Sequence, residues 1–174
     1  DYIAIPVVSS QNRRYIPMEL LHKDVIAGNK LFMMPEGSLY YFGILTSNVH
    51  MAWMRTVTGR LKSDYSYSNT IVYNNFPWPL STNQQRLKIE QTAQSILDAR
   101  SLYPDNSLAD LYNPVLMPLE LRKAHIANDK AVMAAYGFSL KMSEEDCVEE
   151  LMKLYQKMIL EEKMKKSDKK SKKK

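Results

Sequence analysis

Four cations stand where a chain could offer them to an anion. Arg13 and Arg14 are adjacent in the polar string Gln11-Asn12-Arg13-Arg14, and Arg60 and Lys62 follow Gly59 in Arg60-Leu61-Lys62-Ser63-Asp64. A guanidinium is a planar fork of donors that matches two phosphate oxygens or the edge of a guanine, and an ammonium is a compact point charge suited to phosphate. Tyr65 and Tyr67 interleave with polar residues just after the second string. Donors mixed with aromatic rings suit contact with phosphates or splayed bases. Arg55 lies upstream at helical spacing from Asn48 and Met51. The chemistry on offer is therefore binding, and its candidates are Arg13, Arg14, Arg55, Arg60, Lys62, Tyr65 and Tyr67. A ligand-free reading accounts for the same residues: a solvated hairpin turn at 11–14, and a loop tied down by an Arg60–Asp64 pair.

Groups for catalysis are not assembled. His22, His50 and His125 are far apart and none has a carboxylate at metal-ligand spacing, so no metal site is expected. A glycine-rich phosphate loop is missing, and Ser9, Ser10 and Ser47 have no nucleophile-elbow context. Cys147 falls in the first turns of a predicted helix, where a thiol pKa can drop; the plainer reading is a buried thiol. No catalytic residue and no cofactor-binding residue is predicted within these 174 residues.

Composition limits the classes further. Apolar residues make up 45% of the chain, enough for a core. The net charge of +5 is unevenly placed: +2 over residues 1–80, −2 over 81–160 and +5 over 161–174. The high isoelectric point therefore belongs to the tail and not to a folded basic face. A single cysteine excludes an internal disulfide and fits a reducing compartment. No apolar run reaches the length of a membrane span. The chain starts at Asp1 directly in a strand-like pattern, which predicts that it is part of a longer polypeptide.

The elements that must position the candidates follow from periodicity. Tyr2–Val8 reads as a strand that tolerates Pro6, and Arg13–Pro17 as a second, making a hairpin with residues 11–14 at its tip. Met18–Lys23 reads as a helical turn and Lys30–Met34 as a strand. From Leu39 to about Thr58 the spacing is helical, with Phe42, Leu45, Val49, Ala52 and Trp53 on one face and a break near Thr46-Ser47-Asn48. Ser38 can cap this segment and Gly59 end it. Arg60–Thr70 reads as a loop and Ile71–Tyr73 as a short strand. Phe76-Pro77-Trp78-Pro79 is a rigid apolar strap. Beyond it the chain is helical: a helix capped by Thr82 and Gln85 to about Leu102, a short one within 105–112, one from Pro118 to Tyr136 closed by Gly137, and a last one from Ser143. The fold class predicted is α+β, a small mixed α/β unit followed by a helical C-terminal unit.

Four strings carry a family resemblance: SSQNRRYIP (9–17), YYFGILTSNVHMAWMRTVTGRLKSDYSYSNTIVYNNFPWP (40–79), QTAQSILDARSLYPDNSLADLY (91–112) and LELRKAHIANDKAVMAAYGF (119–138). Together they resemble the MmeI-like type II restriction-modification proteins, in which one polypeptide holds an endonuclease, an adenine methyltransferase and a target recognition domain. The resemblance implies that residues 1–80 are the C-terminal part of a target recognition domain, 81–165 a helical C-terminal domain and 166–174 a basic low-complexity tail. It implies a methyltransferase domain upstream, with an Asn-Pro-Pro-Tyr/Phe motif for the flipped adenine and a site for S-adenosylmethionine; neither motif occurs in this chain.

Its implied partners are double-stranded DNA and that upstream domain, with no membrane, in a prokaryotic cytoplasm. The function implied is sequence-specific DNA recognition in the service of adenine-N6 methylation, with Arg13-Arg14 and the Arg60–Tyr65 string facing DNA. The parent would be an enzyme and this chain alone inactive. The other class that fits is a structural or protein-interaction module that braces the enzyme without touching DNA. The acidic balance over 81–160 favours that second class.

Overall fold

A computed structural model describes the backbone of residues 1–171 and the side chains of residues 1–165. The first half holds two small antiparallel sheets. In one, β1 (Tyr2–Pro6) is central between β3 (Glu19–Leu21) and β4 (Leu31–Pro35), with Ile3 opposite Leu20 on one side and Met34 on the other. In the second, β2 (Val8–Ser9) pairs with β6 (Asp64–Ser66), which pairs in turn with β5 (Gly59–Leu61).

The hairpin expected from 2–8 and 13–17 does not form. Tyr15 and Ile16 are consecutive and both buried, so the segment lacks the in–out alternation of a half-buried strand. It crosses the core as irregular chain. The place beside β1 goes to Glu19–Leu21, within the stretch read as a helical turn. The hairpin of this unit is β5–β6, in the segment read as a loop.

Two helices carry the core of this half, α1 (Leu39–Leu45) and α2 (Asn48–Val57), and each begins at a serine whose hydroxyl caps the first turn, Ser38 and Ser47. The break between them arises where expected: the Thr46 hydroxyl donates to the Phe42 carbonyl at 2.7 Å and the Ser47 hydroxyl to the Ile44 carbonyl at 2.7 Å, so local side-chain bonds are made to the last carbonyls of α1 where the helix ends. Gly59 is not the cap. Thr58 ends α2, and Gly59 opens β5. Residues 69–73 form a π-helical turn and not a strand. Its start is capped by Ser68, and its carbonyls at Thr70 and Ile71 accept from the Asn75 amide, so local side-chain bonds outcompete extension.

After the strap come α3 (Asn83–Ser101), α4 (Leu108–Leu111), α5 (Leu119–Tyr136) and α6 (Glu144–Ser171). Thr82 and Gln85 close a reciprocal capping box, and Gly137 ends α5 in the left-handed conformation at φ 73°. No strand lies beyond Leu80 among the described residues. The strap joins the halves: Phe76 is buried, Trp78 is half-buried edge-on to it at 5.2 Å, and the Tyr136 hydroxyl of α5 donates to the Pro77 carbonyl at 2.8 Å. Helix α6 continues to Ser171, past the expected limit near 165; residues 172–174 of the basic tail lie outside the described residues.

Gly43 marks where α1, α3 and α5 meet. A Cβ there would lie 2.7 Å from Ile89 Cγ2, 3.0 Å from Asn128 Oδ1 and 3.2 Å from Ala93 Cβ. The Gly43 carbonyl accepts from the Asn128 amide at 2.7 Å, which fixes the spacing. Gly43→Ala gains about 1 kcal/mol of helix preference and loses about 1–3 kcal/mol to overpacking. Net destabilisation is expected in urea denaturation; an unchanged midpoint would show that the three helices spread freely.

Candidate nucleic-acid interface

Pairing of β2 with β6 sets Ser9 opposite Tyr65, so the turn that follows Ser9 lies against the β5–β6 turn. The Gln11 amide donates to Asp64 Oδ1 at 3.3 Å and ties the two turns together. The two cationic strings, joined by a bond between residues 53 apart in sequence, are neighbours in space. Lys62 forms the tip of the hairpin turn at φ 57° and is exposed. Arg60 is exposed too. Its guanidinium lies 4.0 Å above the Tyr65 ring, and Nη1 donates to the Ser63 carbonyl at 3.0 Å. The Arg60–Asp64 tie weighed above is not made; Asp64 serves Gln11 instead.

Two of the seven candidates are buried. Tyr67 is 3% exposed and its hydroxyl bonds His50 Nε2 at 3.1 Å. Tyr65 is buried and contributes a face for Arg60 to rest on. Their period-two spacing puts both on the inner side of β6 and its continuation, and the aromatic content of the string masked that. Arg55 is engaged as well: Nε and Nη2 fork onto the Glu144 carboxylate at 2.7 and 2.8 Å, and Nη1 donates to the Arg14 carbonyl at 3.2 Å. It is a strut between α6 and the 10–15 segment.

Arg14 is exposed, with its guanidinium 5.4 Å from the Tyr15 ring centre and 4.0 Å from Asp129 Oδ2. Arg13 is half-buried. With Ser10 and Asn12 it lines one side of an open cleft of about 640 Å³ whose other side is Asn113, Pro114 and Val115 of the helical half. Arg13, Arg14, Arg60 and Lys62 are thus carried by two adjoining turns, and the helical half contributes a wall beside them.

Beneath these turns runs a polar network that sequence reading did not find. The Tyr15 hydroxyl donates to Asp129 Oδ2 at 2.6 Å, and Asp129 Oδ1 accepts from the Asn48 amide at 2.8 Å. The Tyr15 ring stacks on His125 at 4.1 Å. His125 Nε2 lies 2.7 Å from the Tyr112 hydroxyl, which accepts from Arg100 Nε at 3.1 Å and also from Nη2. Arginine can only donate, so the Tyr112 proton goes to His125, which is neutral. Burial pushes the Asp129 carboxyl up, against the bonds and cations that favour its charge, and pushes His50 and His125 down to about 3. The available signal was Asn128-Asp129 on the same helical face as Leu121 and Ala124: polar residues in an inward stripe need partners.

Cys147 is buried and its thiol is pushed up to about 11 by desolvation, not down. Among the described residues no cluster of three or more histidine, cysteine or carboxylate side chains is placed to hold a metal, and no helix is long and apolar enough to cross a membrane.

Residues 1–80 match the family model described as MmeI, target recognition domain, and residues 81–161 the one described as MmeI, C-terminal domain. The chain is 44% identical over 156 residues to DNA methyltransferase A of Bacillus subtilis (strain 168), a match covering 90% of this chain and 18% of that protein. Among solved structures it is similar to the Type IIL restriction-modification enzyme MmeI in complex with DNA, with TM-score 0.87 and 46% identity over 91% of this chain and 21% of that one. The chain spans about a fifth of the length of these relatives.

Proposed function

Because the chain belongs to the MmeI-like family through both a target-recognition and a C-terminal region, we propose that it is the DNA-reading end of a site-specific adenine-N6 DNA methyltransferase of the restriction-modification type. The observation that carries this reading is the juxtaposition of the Gln11–Arg14 turn with the Arg60–Asp64 turn, four cations on two tethered turns. Similarity to an enzyme bound to DNA and to a DNA methyltransferase supports it. Residues 1–80 act as the recognition part and 81–165 as the brace; methyl transfer and S-adenosylmethionine belong to an upstream domain of the same polypeptide, which works in a prokaryotic cytoplasm.

In this reading Arg60 and Lys62 neutralise phosphates, because both are exposed at a hairpin tip. Arg13 or Arg14 meets a base edge in the major groove, the groove that distinguishes all four pairs. Tyr65 positions Arg60, and Arg55 and Tyr67 hold the scaffold. The test is a binding titration of the full-length protein on duplex DNA across salt concentrations. Arg60→Ala and Lys62→Ala are each expected to weaken binding and to reduce the salt slope by roughly one phosphate contact. Unchanged affinity and slope in a correctly folded Arg13, Arg14, Arg60 and Lys62 quadruple alanine variant would end the reading for these turns.

A further inference from the structure

We propose that Asp129, on the helical C-terminal half, is a positioning residue for Arg14, acting with Tyr15 to hold that guanidinium in the one orientation from which it reads DNA. The inference rests on the DNA-reading function proposed above and goes beyond it, since it assigns a recognition role to the half of the chain that carries no exposed cation of the site.

Four observations lead to it. Asp129 is 5% exposed yet lies 4.0 Å from a guanidinium whose side chain is 64% exposed, so the carboxylate is a fixed anchor beneath an exposed cation. Both carboxylate oxygens are already held, Oδ2 by the Tyr15 hydroxyl at 2.6 Å and Oδ1 by the Asn48 amide at 2.8 Å, so the anchor cannot swing. Tyr15 is the next residue after Arg14. Its ring is clamped against His125 at 4.1 Å, and its own hydroxyl reports to the same carboxylate. The backbone is held separately, by Arg55 Nη1 on the Arg14 carbonyl with Glu144 behind it.

The separation of 4.0 Å matters. It is long for a charge-assisted hydrogen bond, which is normally 2.7–2.9 Å. The donors of Arg14 are therefore held near Asp129 and the Tyr15 hydroxyl without a short bond to the carboxylate, and can turn to a bidentate partner. A pre-oriented fork loses less freedom on binding than a free one. A loose Arg14 would still reach phosphates, so positioning shows in discrimination between sequences more than in overall affinity.

The experiment is selection of bound sequences by the full-length protein from a randomised 40-base-pair duplex pool, with roughly 40 chosen as several times a typical site. Wild type, Arg14→Ala, Asp129→Asn and Tyr15→Phe are compared. Arg14→Ala is expected to relax the recovered motif at one position by about tenfold. Asp129→Asn and Tyr15→Phe are expected to relax the same position while leaving the salt slope of binding unchanged. Tyr15→Phe keeps the ring and its stack and removes only the hydroxyl, so it remains informative if Asp129→Asn fails to fold. Relaxation in Arg14→Ala with a wild-type motif in folded Asp129→Asn or Tyr15→Phe overturns the positioning role and leaves the DNA reading intact. An unaltered motif in Arg14→Ala overturns the base contact and the positioning role with it.

Discussion

Lowering the pH from 7 to 5 is expected to remove about 4 kcal/mol of folding free energy, roughly 2 kcal/mol from each of two histidines. His50 and His125 are fully buried, and desolvation holds both at about 3 against an ordinary 6.5. The folded-state values lie below the unfolded ones, so the unfolded chain takes up protons first. The stability contributed is intact above 6.5 and falls as the pH drops from there toward 3. A pH of 5 lies about 1.5 below the unfolded imidazole value, and each pH unit there is worth about 1.4 kcal/mol. Asp129 works in the other sense: burial raises its carboxyl, so it takes a proton more readily folded than unfolded and softens the descent. Domains of this size have about 5–15 kcal/mol to lose, so acid unfolding is expected near pH 4. Urea denaturation at several pH values measures it. His50→Gln should flatten the curve, and a stability constant from pH 7 to 5 would show that the imidazoles are hydrated.

Sequence periodicity found the parts of this fold that depend on local rules. The serine cap at 38, the Thr82–Gln85 box, the break at Thr46-Ser47 and the Gly137 cap are each set by a few adjacent side chains, and each appears where its chemistry placed it. The change to an all-helical second half at Pro79 was readable for the same reason. What failed was pairing over distance. Nothing local says that β1 pairs with residues 19–21 and not with 13–17, because the choice is made by Tyr15 and Ile16 being needed in the core. The same holds at the candidate site. The cationic strings were visible as composition, whereas the burial of Tyr65 and Tyr67 and the capture of Arg55 by Glu144 depend on helices up to 89 residues away.

Arg100→Ala is expected to cost about 2–5 kcal/mol, the range for truncating a large buried side chain to alanine. Arg100 is only 7% exposed, lies between the Phe42 and Tyr112 rings, and points Nη1 at Glu19 from 3.4 Å. It is the link by which α3 holds β3, and through Tyr112, His125 and Tyr15 it supports the turn that carries Arg14. Truncation leaves a cavity between two rings and leaves Glu19 without its cation. Arg100→Met restores most of the volume, and Glu19, whose side chain is 30% exposed, can turn to water. Tyr112 keeps its bond to His125 in either variant. Methionine should therefore cost less than half as much as alanine, since a shape-matched apolar replacement of a buried ion is often close to neutral. A second effect separates charge from packing. The Arg100 cation is, after desolvation, one cause of the low His125 value, so both variants let that imidazole protonate more readily in the folded state and raise its titration in the folded protein. Urea denaturation of the two variants and an NMR titration of His125 in each test this. Equal costs for alanine and methionine would reduce Arg100 to a charged contact without a packing role. An unaltered His125 titration in both would separate Arg100 from that imidazole and break the proposed line from β3 to the Arg14 turn.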